Sequence, residues 1–191
     1  MASRGGKCLL ILTVIAAVLS GVDSRPDGAP VAACTSLTPS HGVSLANGPS
    51  PYSLQLSQST YTPGGMVSVT VVASQQYRGI ILQARRTDGL STAPQGSWLN
   101  LQDAQLLDYK RIRCSSTHDT ITHTNRNDKS VSQTFTWLTP ITDVGSVRFV
   151  MSVVQTYNTY WVNVESNVIT YFAGEPLNCP IVFLRPIFSS P

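Results

Sequence analysis

Charge is the scarcest commodity in this 191-residue sequence: only 12% of residues are Asp, Glu, Lys or Arg, against about 25% in an average soluble domain. No stretch beyond the first two dozen residues sustains helical periodicity, and none is a second long apolar run. The first absence argues against a helical fold and the second against a membrane span in the mature chain. No Cys-x-x-Cys or Cys/His ligand spacing occurs, so structural zinc is not expected. GxxxxGK[ST] and GxSxG are also missing, so neither a nucleotide cradle nor a hydrolase elbow is expected. Nor is there an Asn-x-Ser/Thr acceptor free of Pro. No cofactor, metal or catalytic residue is assigned.

What is present begins with Arg4 and Lys7, an apolar run from Cys8 to Leu19, then Ser20 and Gly21. That order reads as a secretory signal over residues 1–24, cut between Ser20 and Ser24, the run being too short to span a bilayer. Cleavage removes Arg4, Lys7 and Asp23, two of the 13 basic and one of the 10 acidic residues, leaving a nearly neutral chain. Bulk electrostatic capture of nucleic acid is not expected of such a balance. Cys34, Cys114 and Cys179 remain, an odd count for an oxidising compartment. Three pairings are possible and spacing does not choose among them.

Residues 25–33, RPDGAPVAA, read as an irregular arm before a domain spanning residues 34–173. Tyr52, Leu54 and Leu56 alternate with polar residues as in a half-buried strand, and residues 62–65 (TPGG) carry turn chemistry. Residues 66–73 (MVSVTVVA) and 80–84 (IILQA) follow as strands, joined by a polar connection through Tyr77 and Gly79. A long loop is expected over residues 88–105, with Trp98 as its anchor. Further strands fall over 109–114, 120–124, 130–137 and 147–154, and a last long strand or bulged pair over 160–172. In the 130–137 strand Val131, Phe135 and Trp137 share a face. The tail, residues 174–191, carries Pro176, Pro180, Pro186 and Pro191, and its apolar run 181–184 has no evident role. About eight strands at regular spacing specify an all-β fold, an immunoglobulin-like antiparallel sandwich.

An ordered series of landmarks then becomes visible: residues 33–42 (ACTSLTPSHG), 51–54 (PYSL), 61–64 (YTPG), 67–70 (VSVT), 77–85 (YRGIILQAR), 96–98 (GSW), Cys114, 122–124 (THT), Trp137 with Pro140, and 160–162 (YWV). The series resembles the reelin (reeler) domain family over residues 34–172. The resemblance implies the same sandwich fold and a disulfide between Cys34 and Cys114, leaving Cys179 as the odd thiol. Such a bond closes a loop of about 80 residues and stabilises by roughly 4 kcal/mol in the chain-entropy view.

Ferric-chelate-reductase relatives add electron-handling and haem-bearing domains for which this chain has no room. A stand-alone domain behind a signal resembles insect-type secreted defence proteins. The resemblance therefore implies a secreted, non-enzymatic innate-immune protein that binds bacterial surface lipids or glycans. An extracellular adhesion module binding host glycosaminoglycan or a protein partner is the alternative. The ligand-binding candidates are Lys110, Arg111 and Arg113, where strand alternation puts Arg111 and Arg113 on one face and Lys110 with Ile112 on the other. Arg85, Arg86, Arg126 and Lys129 extend that basic patch if the fold gathers them. Trp98, Trp137, Tyr160 and Trp161 are expected in the core rather than on a sugar platform. His41 and His123 are expected to bond backbone groups, and the Ser115, Ser116, His118, Asp119 adjacency is read as chance.

Overall fold

The computed structural model describes residues 26–174. The expected signal peptide, its cleavage zone, Cys179 and the tail with its 181–184 run lie outside the described residues. Within them, eleven strands follow a 3-10 turn at Val31–Cys34: β1 (Tyr52–Leu56), β2 (Thr60–Tyr61), β3 (Met66–Ala73), β4 (Gly79–Arg86), β5 (Ser97–Trp98), β6 (Tyr109–Ile112), β7 (Thr120–His123), β8 (Ser132–Leu138), β9 (Val147–Thr156), β10 (Thr159–Glu165) and β11 (Thr170–Tyr171). Three more strands occur than the spacing predicts, because β2, β5 and β11 are two-residue pieces without a pattern of their own. One helical turn, α1 (Asp103–Leu106), sits before β6.

Two antiparallel sheets face each other, ordered β1-β3-β8-β5 and β10-β9-β4-β7-β6, with β2 and β11 pairing parallel at the margin. The valines at alternate positions of β3 point inward with Phe135 and Trp137 of β8. They meet Ile80, Leu82 and Ala84 of β4 and Val147, Phe149, Met151 and Val153 of β9. Edge-to-face rings knit the layers: Trp137 to Phe149 at 5.2 Å, Tyr109 to Phe135 at 5.1 Å and Tyr61 to Trp137 at 5.7 Å between centroids. Both buried indoles donate to carbonyls, Trp98 to Asp119 at 3.1 Å and Trp137 to Gln95 at 2.8 Å. Gly96 makes that second contact possible. It holds φ +65°, and a Cβ there would lie 2.5 Å from both the Trp137 ring nitrogen and the Leu138 carbonyl.

Several sequence expectations need correction. Tyr77 is no part of a polar connection; it is fully buried, its hydroxyl 2.9 Å from that of Tyr109. Val131 lies before β8 and is exposed, so only Phe135 and Trp137 of its trio reach the core. The stretch 160–172 divides, because a register shift between Trp161 and Val164 bends β10 and β11 then pairs with β2. The loop 88–105 contains β5 and the start of α1, with Trp98 buried as expected. Trp137 and Tyr160 are also buried, and Trp161 is half-buried against the core.

Candidate functional site

Strand alternation gives the five-stranded sheet a second face. Along β4, Ile81, Gln83 and Arg85 turn away from the core, and cross-strand pairing sets Ser152 opposite Ile81 and Val150 opposite Gln83. The segment read as an arm in front of the domain lies across this face. The disulfide Cys34–Cys114 is formed, with Cα atoms 5.6 Å apart and 80 residues between its ends, and ties the 3-10 turn to the chain beyond β6. Arg85 adds two hydrogen bonds, to the carbonyls of Cys34 at 2.7 Å and Thr35 at 2.9 Å. Upstream, the Ala29 amide donates to Thr122 Oγ1 at 2.9 Å. Gly28, at φ +119°, presses so close that a Cβ would meet the His123 carbonyl at 2.7 Å.

Leu37 closes one end of the cover. Its backbone adopts φ +54°, an unfavourable conformation for a branched side chain, while the side chain is fully buried against Ile81 and Val150 with Ala29 and Ala33 alongside. Burial of that apolar cluster offsets the strain. At the other end His41 stacks on Tyr157 with centroids 4.9 Å apart, and its Nδ1 lies 2.9 Å from the Tyr157 carbonyl.

Between these two attachments the cover stands off the sheet and leaves a groove of about 520 Å³, within the range of about 300–1,000 Å³ typical of small-molecule sites. Its floor is Ile81, Gly79, Val154 and Ser152; Ala29, Ala33 and Leu37 form the cover. Arg78, Arg126, His41 and His123 stand among its lining, which contains no Asp or Glu. Arg78 pairs with Asp128 at 2.8 Å. Ser152 is 2% exposed and its hydroxyl has no hydrogen-bond partner among the described residues.

The expected basic patch is distributed rather than gathered. Arg111 donates to the Trp98 carbonyl at 2.9 Å and to Asn100 Oδ1 at 2.7 Å, bordering a shallow depression with His118. Arg113 is exposed, while Lys110 reaches the opposite face beside Gly28. Arg86 is paired with Asp88, and Arg85 holds the cover. Lys129 does not extend a surface patch at all: it is fully buried, with Nζ bonded to the Asn127 carbonyl at 2.7 Å and Asn125 Oδ1 at 2.8 Å, and Asp108 at 3.4 Å. Burial lowers its pKa from the ordinary lysine value, against the pull of Asp108. Only Arg126 of that set joins the groove.

The Ser115, Ser116, His118, Asp119 adjacency assembles no nucleophile and base. Asp119 is buried and accepts the amides of Cys114, Ser115 and Ser116 at 2.8, 2.7 and 2.5 Å, fixing the loop that carries the disulfide. Among the described residues no three His, Cys, Asp or Glu side chains come together as a metal site. His123 Nδ1 lies 3.2 Å from the Ile80 carbonyl, a backbone contact of the kind expected.

The family model described as the Reeler domain matches residues 32–176. Defense protein l(2)34Fc of Drosophila melanogaster is 35% identical over 155 residues, covering 79% of this chain and 92% of its own. Ferric-chelate reductase 1 of Mus musculus is 28% identical over 184 residues, which is 95% of this chain but only 30% of that protein. Among solved structures, the human F-spondin reeler domain superposes with a TM-score of 0.55 at 17% identity, covering 68% of this chain and 94% of that one, a likeness of fold.

Proposed function

The chain belongs to the Reeler domain family, and from that footing we propose that it is a secreted, non-enzymatic defence protein that binds components of the bacterial surface in the groove over its five-stranded sheet. Near-full-length similarity to an insect defense protein supports the defence role. The order of the first 24 residues and an intramolecular disulfide support secretion. The match to the reductase covers less than a third of that protein, so its activity is not carried over.

The single observation that carries the choice of site is the groove itself: a cavity of about 520 Å³ with an apolar floor, cationic side chains and no carboxylate in its lining. Apolar concavity with a few convergent polar groups is the usual form of a ligand site. Arg111 and Arg113, on one face of the β6 strand and its extension, favour a second reading, capture of sulfated host glycan at the depression beside His118.

The test sets lipopolysaccharide, lipoteichoic acid and heparin side by side at physiological salt against the wild type, Arg126→Glu and Arg111→Ala/Arg113→Ala. The groove reading expects the bacterial ligands to bind, Arg126→Glu to weaken them and the double variant to leave them unchanged. Heparin winning, with the double variant impaired, transfers the site to the depression and the function to adhesion.

A further inference from the structure

We infer that the groove takes the acyl chain of a single-chain anionic amphiphile, with the anionic head held at Arg126 and the chain running over Val154 and Ser152 towards Leu37. This rests on the reading of the groove as the binding site and adds the chemistry of what enters it.

The floor is the face of a sheet, not an edge. β4 lies between β9 and β7 with its backbone bonded on both sides, so an extended peptide has no ladder to join. Recognition must come from surface and charge. Sugars and nucleotides need a dense set of polar partners, whereas Ile81, Val154, Leu37, Ala29 and Ala33 offer hydrocarbon. Hydrocarbon is therefore the matching chemistry for the stretch between Val154 and Leu37.

Charge is confined and has a direction. Register places the Gly79–Val154 pair next to Arg78, where β4 begins, and the Ile81–Ser152 pair two residues farther in. Beyond that lies Val150, already covered by Leu37. One end is thus cationic, and the other closes where Leu37, between Ser36 and Thr38, packs onto the sheet. Arg78 is paired with Asp128, while Arg126 is exposed and has no counter-charge among the described residues. With no acidic side chain in the lining, an anionic head is favoured over a cationic one.

Ser152 supplies an independent observation. Its buried hydroxyl has no partner among the described residues and belongs to the cavity lining. A buried hydroxyl is normally satisfied, and a ligand oxygen would satisfy this one. Two residues along β9 place it about 7 Å inside Val154, the depth of an ester oxygen separated from a phosphate head by a glycerol unit.

The test is isothermal titration of the disulfide-bonded protein with dodecanoate, lauroyl lysophosphatidylglycerol and dodecyltrimethylammonium, each below its micelle concentration. Both anions are expected to bind one to one, and the cation about tenfold more weakly or not at all. Arg126→Glu, on an exposed residue, is expected to cost the anions about tenfold, and Ser152→Leu, which fills the floor, to abolish binding. Thermal melting of both variants checks that they fold, and Arg126→Glu decides alone if Ser152→Leu does not.

Equal binding of the cation, failure of both anions, or an unchanged Arg126→Glu overturns the inference. Binding to whole bacteria separates the two levels. Should both amphiphiles fail while Ser152→Leu abolishes attachment to cells, the ligand chemistry is wrong and the groove remains the site. Amphiphiles that bind to a protein which ignores bacteria sustain the ligand chemistry and remove the defence role.

Discussion

The inner and outer faces of the five-stranded sheet are built from the same strands and end in opposite states. On the inner face, Ile80, Leu82 and Ala84 of β4 and Phe149, Met151 and Val153 of β9 meet a second sheet with its own regular alternation, and their rings pack edge to face across the layers. The outer face meets only an irregular segment. Val150 is sealed where Leu37 drops onto it, but Ile81, Ser152 and Val154 border a standing gap. Two periodic surfaces can tile each other. A cover without periodicity touches the sheet where particular residues anchor it: Gly28, the Cys34 disulfide and Leu37 at one end, His41 at the other. Stability belongs to the inner face, and the gap in the outer one is where we propose that ligands bind.

That division can be broken most severely from the inside. Trp137→Ala is expected to cost about 3–5 kcal/mol, because the indole is fully buried between Tyr61 and Phe149 and the sheet framework cannot collapse around the void. Urea denaturation monitored by circular dichroism measures it. A loss below about 1 kcal/mol would show that the inner face is far less tightly determined than its packing implies.

Releasing the cover should come next. Cys34→Ser is expected to lower stability by about 2–5 kcal/mol and to free the Cys114 thiol. Hydrogen exchange should rise first across residues 28–41 and over the groove floor, with the inner strands protected until global unfolding. Peptide mapping that found Cys34 reduced in the wild type would remove the covalent anchor from the comparison altogether.

The buried hydroxyls of the inner face give it a distinctive response to alkali. Burial pushes Tyr52 and Tyr109 up to about 12, and Tyr77 is raised as well by burial and by its neighbour Tyr109. In the unfolded chain they ionise near the ordinary tyrosine value, about 10. The folded state keeps those protons longer, so the stability they contribute is complete below pH 10 and falls as pH rises from 10 towards 12. Tyr109→Phe should flatten that slope. At neutral pH it should cost about 1–3 kcal/mol, because the Tyr77 hydroxyl loses its partner at 2.9 Å. Chemical denaturation at a series of pH values reads both effects.

The smallest effect on stability is expected at the groove mouth. Arg126→Ala should leave stability within about 0.5 kcal/mol of wild type, since the side chain is exposed. A thermal melt checks this. A marked drop would mean that Arg126 supports the cover rather than waiting for a ligand.

The sequence made the inner face far more legible than the outer. β1, β3 and β4 announce themselves because alternation with branched residues is a local signal, and the paired rows of core side chains follow from it. Tyr77 was hidden because a tyrosine between polar residues does not reveal a hydroxyl partner 32 positions away. The two-residue strands are created by tertiary pairing and have no pattern to read. The cover escaped for the same reason: RPDGAPVAA has no period, and only the fold shows Gly28 and Ala29 fitted against β7. Arg126 was visible as a charge but not as a companion of the groove, and Ser152, one hydroxyl within an apolar strand, gave no signal at all. Binding sites made by a gap depend on what fails to touch, and sequence patterns record only what does.

The central claim, that ligands enter the gap on the outer face, is tested most directly by titrating isotopically labelled protein with lipoteichoic acid and following backbone amide shifts. Saturable shifts confined to residues 28–41, 78–81, 123–126 and 152–157 are the expected result. Shifts concentrated instead at residues 98–100, 111–113 and 118 would contradict it and place the site at the Arg111 depression.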